Sequence, residues 1–381
     1  MNEAQSLAMM PAVTPLHAMH VARGAHMALV EGYELPLHYV DGAAAEHLHT
    51  REAAGLFDIS HLGQLFLIGA DHEAAARALE ALVPGDILNL TPGGMRYTQL
   101  LTGEGGILDD MLVTRSADST EDGALMLVVN SVRKDADFAH LSSQLAAGVR
   151  ILRADHRALI ALQGPMAAEV MARHAPDTRE MKFMTAMTTR FDGIDCHVSR
   201  SGFTGEDGFE ISAKAQRIVA IAERLLDARQ VKLAGFAARE TLRLEAGLCR
   251  IGQDIDETTT PVAAGLEWSI DARRRSEGGF PGAARVLSEI AEGTPRLRVG
   301  LKLEGSPPAG QNMDIRTPDG TVIGRVTSTG FGPTLNAPIA MGYVDRAFAA
   351  PGTTLTIAAS EGQVPAMVAP LPFVPHKYQR G

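Results

Sequence analysis

Gly103-Glu104-Gly105-Gly106-Ile107-Leu108-Asp109-Asp110-Met111-Leu112-Val113 is the densest signal in the chain: a glycine turn runs into an apolar strand that two adjacent carboxylates interrupt. Neighbours in a strand face opposite sides. Only one of Asp109 and Asp110 can therefore point into a given pocket, and a carboxylate on an apolar face is costly unless it is paired or functional. The same residues also read as an acidic bulge or turn. Around this stretch, Tyr97 to Leu101, Gly106 to Thr114 and Ala124 to Asn130 are strand-like runs separated by Gly, Asp and Ser, and residues 71–83 form an alanine-rich amphipathic helix. Together they predict an α+β unit.

Towards the N-terminus, Thr14-Pro15-Leu16-His17 reads as a helix start with a hydroxyl at the N-cap and proline at the first helical position. A helical pattern over Ala43 to Ala54 gives way at Gly55 to Leu56-Phe57-Asp58-Ile59-Ser60-His61 and then to the alternation Gln64-Leu65-Phe66-Leu67-Ile68. Towards the C-terminus, helices near 165–174, 214–228 and 236–248 are interspersed with strands at 158–163, 194–200 and 208–212. The regular βα rhythm of a doubly wound sheet is missing, which disfavours a Rossmann domain. Asp271 to Gly279, with its Arg273-Arg274-Arg275 triplet, reads as a linker or exposed loop, followed by a short helix near 282–292. From Pro295 onward the chain is β-rich, with Pro318-Asp319-Gly320 as a turn signal, and predicts a small barrel or sandwich.

A chain of 381 residues exceeds what one hydrophobic core supports, so two or three domains are expected. A formal charge of −10, with no basic run longer than that triplet, argues against nucleic acid as a partner. No apolar run approaches the ~18–20 residues needed to span a bilayer, so no membrane partner is expected. Cys196 and Cys249 are too few and too isolated for a disulfide framework, which favours a reducing compartment. Met1-Asn2-Glu3-Ala4-Gln5 lacks a basic n-region and an Arg-rich presequence character, and the expected localisation is cytoplasmic.

Two further constellations could carry chemistry. In Ser201-Gly202-Phe203-Thr204-Gly205-Glu206-Asp207-Gly208-Phe209-Glu210, glycines permit close backbone approach, and Glu206 at the apex could accept two parallel hydrogen bonds from a planar donor pair. The alternative is a hairpin loop with a solvated acid. In Ala237-Ala238-Arg239-Glu240-Thr241-Leu242-Arg243-Leu244-Glu245-Ala246-Gly247-Leu248, Arg239 and Arg243 form an i,i+4 cationic stripe that is either functional, solvated or ion-paired, with Glu240 available to Arg243. His47 with His49, and Cys196 with His197, lack a third ligand at metal spacing, so no metal is expected. The Gly-x-Ser-x-Gly, P-loop and dinucleotide fingerprints are absent in their required contexts.

These three segments, in this order, resemble the glycine cleavage T-protein family. The likeness runs from Thr14-Pro15-Leu16 through Phe57-Asp58-Ile59-Ser60-His61 and Asp256-Glu257-Thr258-Thr259-Thr260-Pro261 to Pro372-Phe373-Val374-Pro375-His376. The resemblance implies a three-domain cloverleaf around a central folate channel, with a β-barrel-like C-terminal domain. It also implies a discontinuous first domain at 1–60 and 140–270, an inserted α+β domain at 61–139, a linker and short helix at 271–294, and the β-rich domain at 295–381. By the same resemblance Asp109 faces the reacting end of tetrahydrofolate as the catalytic residue, Glu206 grips the pterin edge, Arg239 adds a folate contact and Tyr378 closes the pocket. The resemblance also implies Tyr97 and Asn130 as further substrate-binding residues.

The implied reaction takes the aminomethyl group from the lipoyl arm of the H-protein to tetrahydrofolate, a co-substrate, giving 5,10-methylenetetrahydrofolate, ammonia and reduced lipoyl protein. Orientation supplies much of the rate, and a carboxylate stabilises developing charge or relays a proton. The chain departs from the family pattern at Phe203 and Phe209, where tyrosines are common, and at Glu240, where aspartate is common. It also lacks the cysteine signature of folate-binding iron–sulfur repair relatives, reading Gly247-Leu248-Cys249-Arg250-Ile251-Gly252-Gln253-Asp254 instead. A folate-dependent demethylase of the same fold and a non-enzymatic folate-binding protein are the competing readings.

Overall fold

The computed structural model describes residues 10–305, 310–359 and 362–380, so Met1 to Gln5, on which the leader reading rests, lie outside the described residues. The chain enters through helix α1 (His17–Ala22) and a hairpin of β1 (His26–Val30) and β2 (Tyr33–His38). Thr14 does not cap α1. Its hydroxyl donates instead to Asp58 at 2.5 Å, and Leu16 occupies the cap position without a side-chain bond. Helix α2 (Ala43–Glu52) leads into β3 (Ala54–Asp58), after which β4 (Gly63–Ile68), α3 (His72–Glu80), β5 (Met95–Leu101), β6 (Ile107–Arg115), β7 (Ala124–Val129), α4 (Lys134–Gln144) and β8 (Arg150–Arg153) follow.

These strands, β3 apart, form a five-stranded sheet in the order β5-β6-β7-β4-β8. Leu65, Leu67, Met111, Val113, Leu125 and Leu127 point from it onto Ala75, Ala76 and Leu79 of α3, the period-two pattern meeting the amphipathic helix. Asp71 caps α3 by accepting from the Ala74 amide at 2.8 Å. Because β8 pairs with β4 from Leu65↔Arg153 to Ile68↔Arg150, the sheet draws on residues beyond the 61–139 segment expected for it. We propose on this strand membership that the inserted unit spans 63–153.

The next elements are β9 (Arg157–Gln163), α5 (Ala167–His174), β10 (Thr185–Phe191), β11 (Ile194–Arg200), β12 (Gly208–Lys214), α6 (Ala215–Leu226), β13 (Val231–Leu233) and α7 (Phe236–Glu245). With β3 they make a six-stranded sheet, β10-β11-β12-β9-β3-β13. One face buries the apolar stripe of α6 (Ile218, Ile221, Ala222, Leu225) and Val170 and Met171 of α5 against Ile160, Leu162, Val198 and Ile211. The other face packs Phe57, Leu159 and Ala161 on Ala238 and Leu242 of α7.

Asp271 to Gly279, expected as a linker, contains helix α8 (Ala272–Glu277), on which Arg274 is buried and donates to the Glu80 and Val83 carbonyls. Helix α9 (Ala283–Glu292) precedes the last unit. There β14 (Arg296–Leu303), β15 (Asp314–Arg316), β16 (Val322–Gly332), β17 (Ala337–Asp345), β18 (Thr354–Ala359) and β19 (Gly362–Ala369) close a barrel in the order β14-β17-β16-β15-β18-β19. Pairing of Gly300 with Ala369 and of Gly300 with Met341 puts β14 between the two ends and removes any free edge. The interior is filled by Leu301, Ile315, Val326, Val344, Leu355 and Ile357. The architecture is α+β with a closed C-terminal barrel.

Candidate active site

A cavity of about 740 Å³ opens where the two sheets, the 246–268 connection and the C-terminal tail meet. Strand β6 forms one wall. Its alternation sends Ile107, Asp109, Met111 and Val113 to the fully buried side and leaves Leu108, Asp110 and Leu112 on the other. The side chain that lines the cavity is Asp110, not Asp109. The expectation that Asp109 faces the pocket is thus reversed: Asp109 is wholly buried and accepts from the Asn130 backbone N–H at 3.1 Å and from its Nδ2 at 2.9 Å.

Asn130 Nδ2 also donates to Asp110 Oδ1 at 2.8 Å, and the Tyr97 hydroxyl donates to Asp110 Oδ2 at 2.9 Å. Asp110 is therefore fixed from both sides by residues that themselves line the cavity. Burial pushes its carboxyl up to about 7, the charge of Asp109 adds to the rise, and the hydrogen bonds from Tyr97 and Asn130 oppose it. Asp109 is raised as well, first by burial and then by the charge of Asp137, a carboxyl on α4 within hydrogen-bonding reach. The Tyr97 ring continues the wall by stacking on Trp268 with centroids 5.4 Å apart.

The opposite wall comes from the 201–210 segment and α7. Glu206 is buried, but it does not line the cavity. Its Oε1 is held by Arg51 of α2 at 2.9 Å and by Lys377 at 3.0 Å, because the loop apex turns inward towards α2. The acid that does reach the cavity is Glu210, on β12, with Oε2 accepting from the Ser201 hydroxyl at 3.1 Å. Burial raises its pKa against the opposing influence of Arg239 and Ser201. Arg239 lies over the Phe203 ring, 4.6 Å from its centroid, and has no carboxylate within salt-bridge distance among the described residues. Arg243 behaves differently: it is buried and paired with Glu240 at 3.1 Å and Asp254 at 2.8 Å.

Tyr378 stacks on Phe183 with centroids 3.9 Å apart and joins the cavity lining, and Lys377 N–H donates to the Gly205 carbonyl at 2.8 Å. The tail is tied to the same loop that carries Glu206. Among the described residues no group of three or more His, Cys, Asp or Glu is placed to hold a metal ion, and no helix is long and apolar enough to cross a membrane.

The GCVT N-terminal domain family matches residues 16–274, and the glycine cleavage T-protein C-terminal barrel domain matches residues 296–375. The chain belongs to the glycine cleavage T-protein family. It is similar to a protein of Gallus gallus named aminomethyltransferase, mitochondrial (44% identity over 372 residues, 96% of this chain and 93% of the relative). The protein of that name from Homo sapiens is 40% identical over 375 residues, 96% of this chain and 90% of its own length. A crystal structure of glycine cleavage system aminomethyltransferase T from Bartonella henselae superposes with a TM-score of 0.90 at 38% identity, covering 97% of this chain and 100% of that one.

In this member of the T-protein family the two phenylalanine departures have unequal weight. Phe209 is fully buried in the core beneath the six-stranded sheet, with Arg200 over its ring at 5.1 Å, so a hydroxyl lost there is lost away from the cavity. Phe203 lines the cavity and supports Arg239. Glu210, Phe183 and Trp268 are among the cavity residues that sequence reasoning missed. Alternation along β12 carried the signal for Glu210, since Glu210, Ser212 and Lys214 share the face opposite Phe209 and Ile211. Trp268 sits in a short 3₁₀ turn and left no periodic trace. Chemically, the site offers one carboxyl able to gain or lose a proton near neutrality, a second carboxyl beside an unpaired guanidinium, and two aromatic platforms.

Proposed function

We propose that this cavity holds tetrahydrofolate, with the pterin end against Glu210 and Arg239 and the reacting nitrogen towards Asp110, and that the carbon it receives arrives as the aminomethyl group on the lipoyl arm of an H-protein. The chain is an aminomethyltransferase of the glycine cleavage system and an enzyme, as its identity with the named relatives over 96% of its length supports. The observation that carries the finer reading is the opposition of Asp110 and Glu210 across one cavity, each held by neighbours that leave a face free.

A carboxylate in such a wall accepts from a planar pair of N–H donors, and the unpaired Arg239 supplies the complementary donor for a carbonyl oxygen. Tetrahydrofolate supplies a nucleophilic nitrogen when bound. The protein's part is to orient that nitrogen, exclude water with Tyr378, Phe183 and Trp268, and hold a proton or a negative charge at the Asp110 carboxyl, where ammonia departs. A pKa near 7 suits either step. A cytoplasmic site of action is part of the same reading; the buried, unpaired Cys196 and Cys249 support a reducing compartment, while the named vertebrate relatives are mitochondrial.

Calorimetric titration with tetrahydrofolate and an assay of ammonia release from aminomethylated H-protein test the proposal together. One-site binding and folate-dependent release are expected. Release without any folate requirement, or no binding, would overturn the assignment of the cavity.

A further inference from the structure

The two sheets face each other along a seam longer than the cavity just described. On β6 the seam-side residues are Asp110, Leu112 and Thr114, on β7 and the residue that follows it they are Met126, Val128 and Asn130, and on β12 they are Glu210, Ser212 and Lys214. Asp110, Asn130 and Glu210 end in the active-site cavity; Thr114, Met126 and Lys214 end in a second cleft of about 490 Å³. Four residues along a strand separate the two by about 13 Å. Between them stands a bridge, in which Ser212 Oγ donates to Gln64 Oε1 at 2.5 Å and accepts from Arg157 Nε at 2.8 Å.

The second cleft is positively charged in a chain whose formal charge is −10. Arg157 is half-buried and aimed by two bonds to Ser212, from Nε to the hydroxyl and from Nη2 to the carbonyl, each 2.8 Å. Neither it, Lys214 nor Arg217 has a carboxylate within salt-bridge distance among the described residues. Of the two acids in the lining, Asp195 is tied to Arg190 at 3.0 Å, and Glu121 accepts from the Ser116 hydroxyl at 3.0 Å. Setting Asp195 against Arg190 and Glu121 against one cation leaves two positive charges uncompensated. His197 adds an imidazole without a hydrogen-bond partner among the described residues, kept neutral because burial, and then Arg157, pushes its pKa down to about 4.

Lys214 and Arg217 are exposed and could simply be solvated. Arg157 is different, because burial lowers its pKa and no carboxylate among the described residues sits within salt-bridge distance to repay the desolvation. Phe66, Met126 and Ile194 give the cleft an apolar floor beneath these groups. An anion with a short carbon body would satisfy both.

We propose that this cleft is a second ligand site, for a small organic dianion whose carboxylate or phosphate group pairs with Arg157 and Arg217 and whose body rests on Phe66 and Met126. The site is separate from the folate cavity and does not depend on how that cavity is read. Succinate and glycerol 3-phosphate, titrated separately by calorimetry into the full chain at low and moderate salt, distinguish a carboxylate from a phosphate ligand. One-site binding of at least one probe is expected, weakened about tenfold or more by Arg157→Gln and by Arg217→Gln. Tetrahydrofolate titration should be unchanged in both variants. Arg217 is exposed in the first turn of α6, so its variant keeps the test valid even if Arg157→Gln loosens the Ser212 bridge. No binding of either probe at millimolar concentration, or binding that salt weakens but neither variant does, would overturn the proposal.

Discussion

In the proposed reaction Asp110 carries the chemical demand, because it must keep a titrating carboxyl in a wall of Tyr97, Leu112 and Asn130 without losing its geometry. Asp110→Asn preserves size but removes the charge and the proton acceptor, and ammonia release should fall by about 10²-fold or more. Asp109→Asn should act indirectly, by loosening the bonds that hold Asn130 against Asp110. Its turnover loss should be smaller, with folate affinity nearly intact. Both variants would be assayed at matched folded fractions, and an equal loss in the two would remove the distinction drawn from strand phase. With the Asp110 carboxyl at about 7, turnover that needs the ionised form should rise between about pH 6 and 8. Asp110→Asn should flatten that rise, and a rise unchanged in the variant would assign it to another group. Strand phase was the part the sequence left open. Leu108 and Leu112 on one side and Ile107 and Met111 on the other are all apolar, since both faces of β6 are covered, so nothing in the pattern said which aspartate belonged to which face.

At the level of elements, the 201–214 segment puts two carboxylates of one loop and strand to different uses. Glu206 is an internal tie that links α2 through Arg51 to the tail through Lys377, and Arg51 continues to Glu245 of α7 at 3.1 Å and on to His47. Glu210 is the acid presented to the cavity. Glu210→Gln should therefore weaken tetrahydrofolate binding by roughly 1.5–3 kcal/mol, the worth of a charge-assisted pair, with little change in melting temperature. Glu206→Gln should do the reverse, lowering thermal stability because it removes one of the two carboxylate charges that offset the buried Arg51 guanidinium, while folate affinity in the folded fraction holds. Calorimetry and thermal denaturation of both variants check the pair; folate affinity lost only in Glu206→Gln would restore the loop apex as the pterin contact. The element itself was legible from its glycines and alternation. Its neighbour β10 was not, although Asp192-Gly193 forms the left-handed turn of a β10–β11 hairpin, with φ of 46° and 81°, and is a dipeptide that marks such hairpins.

Across the whole molecule, the legible features were those that local pattern dictates: the amphipathic α3 and α6, the alternating strands, and a β-rich end closing into a barrel. Less legible were long-range pairings such as β8 on β4, which join segments far apart in sequence and leave no local periodicity. The same distant assembly creates the cluster of Asp109, Asp110 and Asp137, contributed by β6 and α4, and this cluster ties stability to pH. Burial raises all three carboxyl pKa values, so the folded chain binds more protons than the unfolded chain once pH exceeds about 4. The slope of unfolding free energy with pH follows protons bound unfolded minus folded, which is negative here, and the cluster costs stability increasingly as pH rises above about 4. Buried His61, lowered to about 4, pulls the other way: its neutral folded form is fully compatible above pH 6.5 and its contribution is lost as pH falls towards 4. A total melting curve mixes these effects, but one substitution separates them. Asp137→Asn puts a permanent donor beside Asp109, so that the pair no longer has to share a proton, and Asp137 lies outside the cavity lining. Relative to the parent chain, Asp137→Asn should be near neutral at pH 5 and more stable by about 1–2 kcal/mol at pH 7.5. Denaturant midpoints measured for both proteins across that range would show the gap widening with pH; parallel curves would mean that the two carboxyls do not share a proton in the folded state.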